Sequence, residues 1–394
     1  MRPVAWSRAT RRATACPWRL AFANSMDLEP HGPLGLARLS LTEKATFDSA
    51  FRTLAQPISD YSFASSFCWG QALGLYFARA HRHICLFANG SDLTMLMPPL
   101  GEPGASEEDL RSAIRDCFVT MDHWNKDHGG THLSRIEYVS DEMLERINAV
   151  TDGDVRLSAS PMGSDYIYPV GNMIDLPGKS LKSKRHSKTG FMREHPDHRC
   201  EVLRPEHVPM CLELLHRWRS HGDQTHEGQV TVDADKRSTA DLRRRDQIAC
   251  ATAVKQHEEL GLKGLVLFVG DKLAGFTLGE SLSPSQASIL FEKTDPDFDG
   301  APQFIFSEFC RLCWSDKPEI NVGDDWGIPT LRFTKQSYRP TRTPLKYVMT
   351  RPARVSDPMV PAHCPSLLAT LPVEESDAPS LDSPCEGVGG PAAA

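Results

Sequence analysis

One order of helix-like and strand-like patterns occurs twice in this chain, between about residues 37 and 350. Each time, a helix pattern opens the segment, and a hairpin, a helix, a strand, a second helix and a final strand follow it. A duplicated order of this kind is typical of two units of one architecture joined in tandem. The chain is therefore predicted to be an α/β protein (mixed α+β sheets) with two similar domains.

In the first half, the hairpin is predicted across an Asn-Gly turn, in the segment "HICLFANGSDLTMLMP". Ser106 is a plausible N-cap for the next helix, whose first turn is rich in acids. The strand "LSRIEYVS", the short helix "DEMLERINAV" and the strand "SDYIYPV" complete this half.

In the second half, a Gly270-Asp271 turn joins two strands, and "ASILFEKT" is predicted as a third. The remaining patterns repeat the order of the first half: the helix "QFIFSEFCRLCW", the strand "EINVGD", the helix "IPTLRFTKQSY" and the strand "PLKYVMT". We predict domains over residues 37–185 and 186–352.

The two ends of the chain differ from this body. Residues 1–36 are predicted to be a disordered extension, within which Met26 is an alternative start. Residues 353–394 are predicted to be a disordered, acidic tail rich in Pro and Ala, because this composition buries too little apolar surface to fold.

Composition excludes several classes of protein. No apolar run approaches the roughly 20 residues that span a bilayer, and eleven cysteines without a disulfide framework favour a reducing cytosol. The chain also lacks a GxxxxGK[ST] loop, a GxGxxG turn, a GxSxG elbow and an HExxH pair. We therefore predict a cytoplasmic protein with no metal site.

A cluster of positive charge stands out in a chain whose formal net charge is −7. Between Lys179 and Arg193 there are six basic residues and no acid, a segment that we call the basic island. A polyanion such as RNA or an anionic head group is a natural partner for such a segment. A solvated linker between the domains is the alternative.

Four segments in order carry a family resemblance. They are "DYIYPVGNMIDLPGKSLKSKRHSKTGF", with Lys-Arg before a helix, then "FTLGESL", "ILFEKTDPDFDGAPQFIFSEF" and "NVGDDWGIPTLRFTKQSYRP". Together they resemble the phosphatidylglycerol lysyltransferase C-terminal domain family over roughly residues 37–350. The chain is also similar in architecture to Fem-type aminoacyltransferases.

The resemblance implies tandem acetyltransferase-type (GNAT-like) domains that move an aminoacyl group from aminoacyl-tRNA to a membrane lipid. Two departures are visible. The chain lacks the multi-span membrane region of characterised lipid-modifying members, and "TDPDFDGAPQF" replaces the glycine-rich turn that cradles pyrophosphate in true acetyltransferases. No cofactor is therefore expected besides the aminoacyl-tRNA donor. An anionic phospholipid is a possible partner at the inner face of the membrane.

The resemblance also indicates site residues. The catalytic candidates are Glu292, Lys293 and Asp325, and the substrate-binding candidates are Glu280, Arg332, Lys335 and Tyr338. Lys182, Lys184 and Arg185 are the candidates for binding tRNA or another anion. Each has an ordinary alternative: a strand-end ion pair for Glu292 and Lys293, and a turn or helix cap for Glu280 and Asp325. For the residues of the last helix it is a solvated helix face, and for those of the basic island it is a solvated linker.

Transfer of an aminoacyl group requires few functional groups beyond residues of these types. An aminoacyl ester is already activated, so an enzyme must mainly hold donor and acceptor together and stabilise the tetrahedral oxyanion. Two rivals stay open at this point, an acyl-CoA-dependent N-acyltransferase on the same fold and a non-catalytic module that binds RNA or anionic lipid.

Overall fold

The computed structural model describes residues 34–90, 92–128, 134–151, 156–224 and 234–351. The predicted acidic tail and nearly all of the predicted N-terminal extension lie outside these residues. Leu34 and Leu36 are exceptions, because both are buried in the core. The fold therefore includes residues 34–36, which the sequence assigned to the extension.

The elements of the first half follow the predicted order. They are β1 (Ala37–Arg38), α1 (Lys44–Phe51), α2 (Phe63–Leu73), β2 (Leu75–Ala80), β3 (His83–Asn89), β4 (Leu93–Met95), β5 (Leu100–Gly101), α3 (Glu107–Asp127), β6 (Arg135–Ser140), α4 (Asp141–Val150), β7 (Ser158–Ser164), β8 (Ile167–Pro169), α5 (Val170–Asp175) and α6 (Lys182–Glu194). Ser106 caps α3 through a capping box with Asp109, so the predicted start of this helix is confirmed.

The second half repeats the plan. Its elements are β9 (His198–Val202), α7 (Val208–Gln224), α8 (Ala234–Lys255), α9 (His257–Leu260), β10 (Lys263–Val269), β11 (Lys272–Ser281), β12 (Gln286–Thr294), α10 (Ala301–Cys313), β13 (Glu319–Asn321), α11 (Pro329–Ser337) and β14 (Leu345–Thr350).

The two halves form two sheets with matching topology. In the second half, β9 to β12 pair antiparallel with their neighbours, and β13 then joins β12 in parallel after the α10 crossover. In the first half, β2 to β4 pair antiparallel, and β6 joins β4 in parallel after α3. The predicted α/β fold with a duplicated element order is confirmed.

Each sheet contains one strand from the other half. β8 pairs with β13 in the second sheet, and β14 lies between β6 and β7 in the first. The chain thus passes from one sheet to the other between residues 164 and 167. The predicted boundary between domains 37–185 and 186–352 falls instead inside α6, and neither segment carries all the strands of its own sheet.

The hydrophobic core also joins the halves. Along β10, side chains alternate between two layers: Leu265 and Leu267 face the α10 layer, while Val266 and Phe268 belong to a cluster that includes the first half. α2 packs on α8 within this shared layer. In the described part of the chain, no helix is both long and apolar enough to cross a membrane.

Candidate functional site

A cavity of about 500 Å³ lies where the two halves meet. Its walls come from α2, α8, β12, α11 and the loop after β13, and Lys346 of β14 also lines it. The apolar lining includes Trp69, Phe291 and Phe306. An apolar cavity with a few convergent polar groups is the usual form of a small-molecule site.

Glu292 is one of the polar residues that line this cavity. It lies on β12 two residues beyond a bulge at Leu290, since Leu278 is opposite Phe291 and Gly279 is opposite Ile289. No hydrogen-bond partner of its carboxyl group is found among the described residues. Burial raises the pKa of Glu292 to about 8, and the charge of Lys293 only partly opposes this. The group can therefore exchange a proton near neutral pH.

Lys293 lies on the other face of the strand, as alternation predicts. Its Nζ is 2.7 Å from Asp246 of α8. Burial lowers the pKa of Lys293, but Asp246 outweighs it and the pKa ends above its ordinary value. Glu292 faces the opposite side of the strand. There, the burial of Tyr338 and, to a lesser extent, the charge of Glu292 raise the pKa of Tyr338. Glu292 and Lys293 nevertheless both line the cavity, because the cavity extends around the end of β12 to both of its faces.

Lys335 and Tyr338 of the last helix also line the cavity. The ammonium of Lys335 donates to the carbonyl oxygens of Val322 and Asp324, both at 2.5 Å. Burial lowers the pKa of Lys335 to about 8. Among the candidates from the sequence, the structure brings Glu292, Lys293, Lys335 and Tyr338 together around one space.

Asp325 and Arg332 lie behind this wall. Arg332 Nε donates to Asp325 at 2.8 Å, the Tyr166 hydroxyl donates to it at 2.5 Å, and the Gly327 backbone N–H donates to it at 2.9 Å. Burial alone would raise the pKa of Asp325, but these donors lower it. Neither Asp325 nor Arg332 lines the cavity. The geometry favours a positioning role for Asp325, and the catalytic role expected from the sequence stays a prediction.

Glu280 lies at the contact between the halves. It accepts a hydrogen bond from Ser62, the N-cap residue of α2, and burial raises its pKa to about 7. Glu280 does not line the cavity. Its hydrogen bond supports an inter-domain contact, and the contact with substrate expected from the sequence stays a prediction.

Most of the basic island lies in helix α6, and its charged side chains make different contacts. Lys182 is exposed, whereas Lys184 lies 4.5 Å from the ring of Tyr338 and burial lowers its pKa. Arg185 donates to the carbonyls of Leu176 and Gly178 and so closes the turn after α5. The Lys-Arg pair thus lies inside the helix and not before it, and Arg185 is a structural residue.

Sequence reasoning missed a buried charge cluster in the cavity wall. Lys346 is 1% exposed and forms ion pairs with Asp60, with Asp165 at 2.7 Å and with Asp324 at 3.1 Å. Burial raises the pKa of Asp60 to about 6, although Lys346 opposes this. The only signal was a lysine within the apolar strand pattern "LKYVM", because the three acids come from separate segments.

Two residues at the edge of the cavity were missed as well. Arg243 of α8 is exposed, and no ion-pair partner for it is found among the described residues. Trp326 is 38% exposed, has a φ of 49° and contacts Trp69 edge to face at 5.5 Å. A cation and an exposed indole therefore lie in the walls of the cavity.

The turn after β12 faces α6, and residues of both line a second cavity of about 680 Å³. Gly300, the N-cap residue of α10, has a φ of 81°, and a Cβ at this position would overlap the backbone oxygen of Ser187. The same turn contains Asp295, Asp297 and Asp299. The N-cap residue of α10 therefore packs against protein backbone, while Pro302 and Gln303 in its first turn line the second cavity. Among the described residues, no group of three His, Cys, Asp or Glu side chains is placed to hold a metal ion.

Comparison with known proteins agrees with this architecture. The model of the family "Phosphatidylglycerol lysyltransferase, C-terminal" matches residues 51–350. A curated relative, the uncharacterized protein MYCGA3080 of Mycoplasmoides gallisepticum, is 22% identical over 179 residues, which are 45% of this chain and 53% of that protein. The match thus spans about half the length of this curated relative.

Two solved structures have the same fold. A conserved protein of unknown function from Bacteroides thetaiotaomicron has a TM-score of 0.67 and 24% identity, over 81% of this chain and 99% of that one. L-PGS from Bacillus licheniformis has a TM-score of 0.50 and 14% identity, over 79% and 92% of the two chains. The likeness at these identities concerns the fold, while the family match covers most of the sequence. The chain belongs to the phosphatidylglycerol lysyltransferase C-terminal family.

Proposed function

We propose that this protein transfers an aminoacyl group from aminoacyl-tRNA to a phosphatidylglycerol-like lipid or another small acceptor. The observation that carries the proposal is the position of Glu292 in a mainly apolar cavity, where its carboxyl group has no hydrogen-bond partner among the described residues. Its pKa of about 8 lets it both accept and return a proton near neutral pH. Family membership supports the choice of reaction.

In the proposed reaction, Glu292 acts first as a base. Its carboxylate takes the proton of the acceptor hydroxyl as that oxygen bonds to the ester carbonyl carbon. The tetrahedral intermediate then collapses and the bond to the terminal ribose oxygen breaks. Glu292 returns the proton to this leaving oxygen, so one ester replaces another and no further reactant is consumed.

Lys335 is the proposed stabiliser of the oxyanion. Two of its three N–H donors bind carbonyl oxygens, which fixes the ammonium at the cavity wall and leaves one donor for a ligand. A fixed cation that faces the developing charge lowers the barrier without reorganisation during the step. The ion pair between Lys293 and Asp246 supports the adjacent wall.

For the donor, we propose that Arg243 and Arg244 of α8 contact RNA phosphates. Both side chains are exposed, and Arg243 lines the cavity that must receive the aminoacyl end. Guanidinium groups suit phosphate oxygens because they offer paired donors. This assignment moves the proposed RNA contact away from Arg185, which binds the protein's own carbonyl groups.

The close approach of α6 to the N-cap of α10 supports an RNA donor over acyl-CoA. A pyrophosphate is normally held by successive backbone N–H groups at a helix N-terminus. Here the backbone of Ser187 packs against Gly300, and Lys272 beside the turn is already paired with Asp295 and Asp297. We expect acetyl-CoA to bind weakly, and calorimetric binding at micromolar concentrations would favour the acyl-CoA rival.

The test is transfer itself. The purified protein is incubated with a charged tRNA pool and lipid vesicles, and the lipid, peptide and protein fractions are then examined by mass spectrometry. We expect an aminoacylated lipid or small molecule that Glu292→Gln reduces by about a hundredfold or more. Wild-type product equal to the Glu292→Gln product would reject the assignment.

A further inference from the structure

Trp326 lies in the loop between β13 and α11, at the edge of the cavity. Its φ of 49° is in the left-handed region, where a bulky residue is strained. The indole is nevertheless 38% exposed, so burial offsets only part of this strain. Strained residues that the surrounding structure holds in place concentrate at binding sites, and folding alone does not account for the position of this one.

The loop around Trp326 is fixed by its two flanking acids. The Trp326 backbone N–H donates to Asp324 at 3.2 Å. Asp324 also pairs with Lys346 at 3.1 Å, and Asp325 pairs with Arg332 at 2.8 Å. The structure therefore holds Trp326 in place, and the carboxylates beside it have their charges paired.

The contact between Trp326 and Trp69 leaves aromatic surface open. The two rings meet edge to face, with their centroids 5.5 Å apart and an angle of 88° between their planes. This geometry covers at most one face of either indole, so a flat ligand can stack on another. Arg243 of α8 lines the same cavity with an exposed guanidinium group, which suits a phosphate oxygen. An aromatic face and a cation are the two groups that bind single-stranded nucleic acid.

From this arrangement we infer that Trp326 stacks on the terminal adenine of the aminoacyl-tRNA donor. The cavity volume of about 500 Å³ is that of a site for one drug-sized ligand. The aminoacyl group can therefore enter while the terminal base stays at the edge, where the exposed indole lies. Stacking there holds the terminal ribose beside the cavity, and the proposed phosphate contact of Arg243 adds a second point of attachment.

The inference rests on the proposed function, because it assumes the aminoacyl-tRNA donor. RNA binding can nevertheless be measured without any transfer. Binding through Trp326 and the terminal base without transfer would reject the proposed function alone. Transfer without a contribution of Trp326 to RNA binding would reject the inference alone. Absence of RNA binding by the wild type would reject the inference together with the proposed donor.

The experiment is a double-variant cycle between Trp326 and the terminal base. The full chain is titrated against two labelled hairpins of a tRNA acceptor stem, one that ends in CCA and one whose last nucleotide is abasic. Fluorescence anisotropy gives both affinities. We expect Trp326→Leu to weaken binding of the CCA hairpin about tenfold. Binding of the abasic hairpin should stay nearly unchanged, because its stacking partner is already missing. Trp326→Phe keeps an aromatic face and should retain most of the affinity.

Phe333→Leu is the matched control. Phe333 is 75% exposed on the neighbouring helix α11 but does not line the cavity, so this change should alter neither affinity. Trp326→Gly is a second variant for which we expect the same result as for Trp326→Leu, because glycine adopts a φ of 49° without strain. Equal losses for the two hairpins, or no loss for either, would overturn the inference. So would a higher KM for the acceptor with unchanged RNA affinity, because Trp326 would then contact the acceptor.

Discussion

The ionisation of Glu292 is expected to affect both the rate of transfer and the stability of the fold. In the proposed mechanism only its carboxylate form accepts the acceptor proton, and burial places its pKa at about 8. The rate of transfer should therefore rise with pH and level off above about 8. Rates corrected for spontaneous ester hydrolysis would measure this, and a profile flat from pH 6 to 9 would contradict a base at this position.

The same burial affects folding in the opposite direction. The folded-state pKa of Glu292 is raised above its ordinary value of 4.5, so folding favours the protonated form. The favourable contribution of Glu292 to the free energy of unfolding is complete below its ordinary pKa, and it is lost as the pH rises through about 8. The stability difference between Glu292→Gln and wild type should consequently shift in favour of the variant at high pH, which thermal unfolding at pH 6 and pH 9 can follow.

Lys346 has the largest predicted effect on stability among the charged residues of the cavity. Lys346→Met leaves Asp60, Asp165 and Asp324 close together and without their shared cation. We expect a loss of about 3 to 5 kcal/mol in the free energy of unfolding at pH 8. Urea unfolding gives the value, and the loss should shrink at pH 5, where carboxyl groups can take up protons. Adding Asp165→Asn should recover part of it; no recovery would mean that packing, not charge, explains the loss.

The two kinds of site residue show what a sequence can and cannot reveal. Glu292 and Lys335 were predicted because each lies in a motif that can be read along the chain. The Lys346 cluster was not predicted, because Asp60, Asp165 and Asp324 meet only after the halves have folded. The hydrogen bond from Tyr166 to Asp325 was not predicted either, because the two residues are far apart in the sequence, whereas Arg332 is close to Asp325 in the same motif.

The helices and strands themselves were largely predictable. Their patterns are local: the Gly270-Asp271 turn between β10 and β11, and the Ser106–Asp109 capping box that starts α3. Strand pairing is not local, and nothing in "PLKYVMT" indicates that β14 enters the sheet of the first half. The basic island was partly misjudged for a related reason, since the carbonyl groups that bind Arg185 become available only where α5 ends.

The junction of α6 and α10 allows a matched pair of substitutions. Gly300→Ala should destabilise the protein by more than about 1 kcal/mol, because the residue has a φ of 81° and the new Cβ meets the α6 backbone. Gly190→Ala, in α6 itself, meets no atom within 4 Å and should stabilise by up to about 1 kcal/mol. Thermal unfolding compares the two, and a neutral Gly300→Ala would show that the helices do not press together at this point.

For the entire chain, the exchange of β8 and β14 predicts one cooperative unfolding transition. Each sheet needs a strand from the other half, and one hydrophobic cluster spans both. Calorimetry should give a van't Hoff enthalpy equal to the calorimetric enthalpy. Two resolved transitions would mean that the halves are stable alone, and a folded fragment 34–185 would lead to the same conclusion.

The position of β14 also has a consequence for synthesis on the ribosome. β7 has its only described sheet partner in β14, so it cannot be paired until residues 345–350 have been translated and have left the exit tunnel. At ordinary elongation rates this delay is roughly 10 s or more after β7 is made. During that time β6 and β7 present unpaired backbone groups, which is where a nascent-chain chaperone would have the longest opportunity to bind.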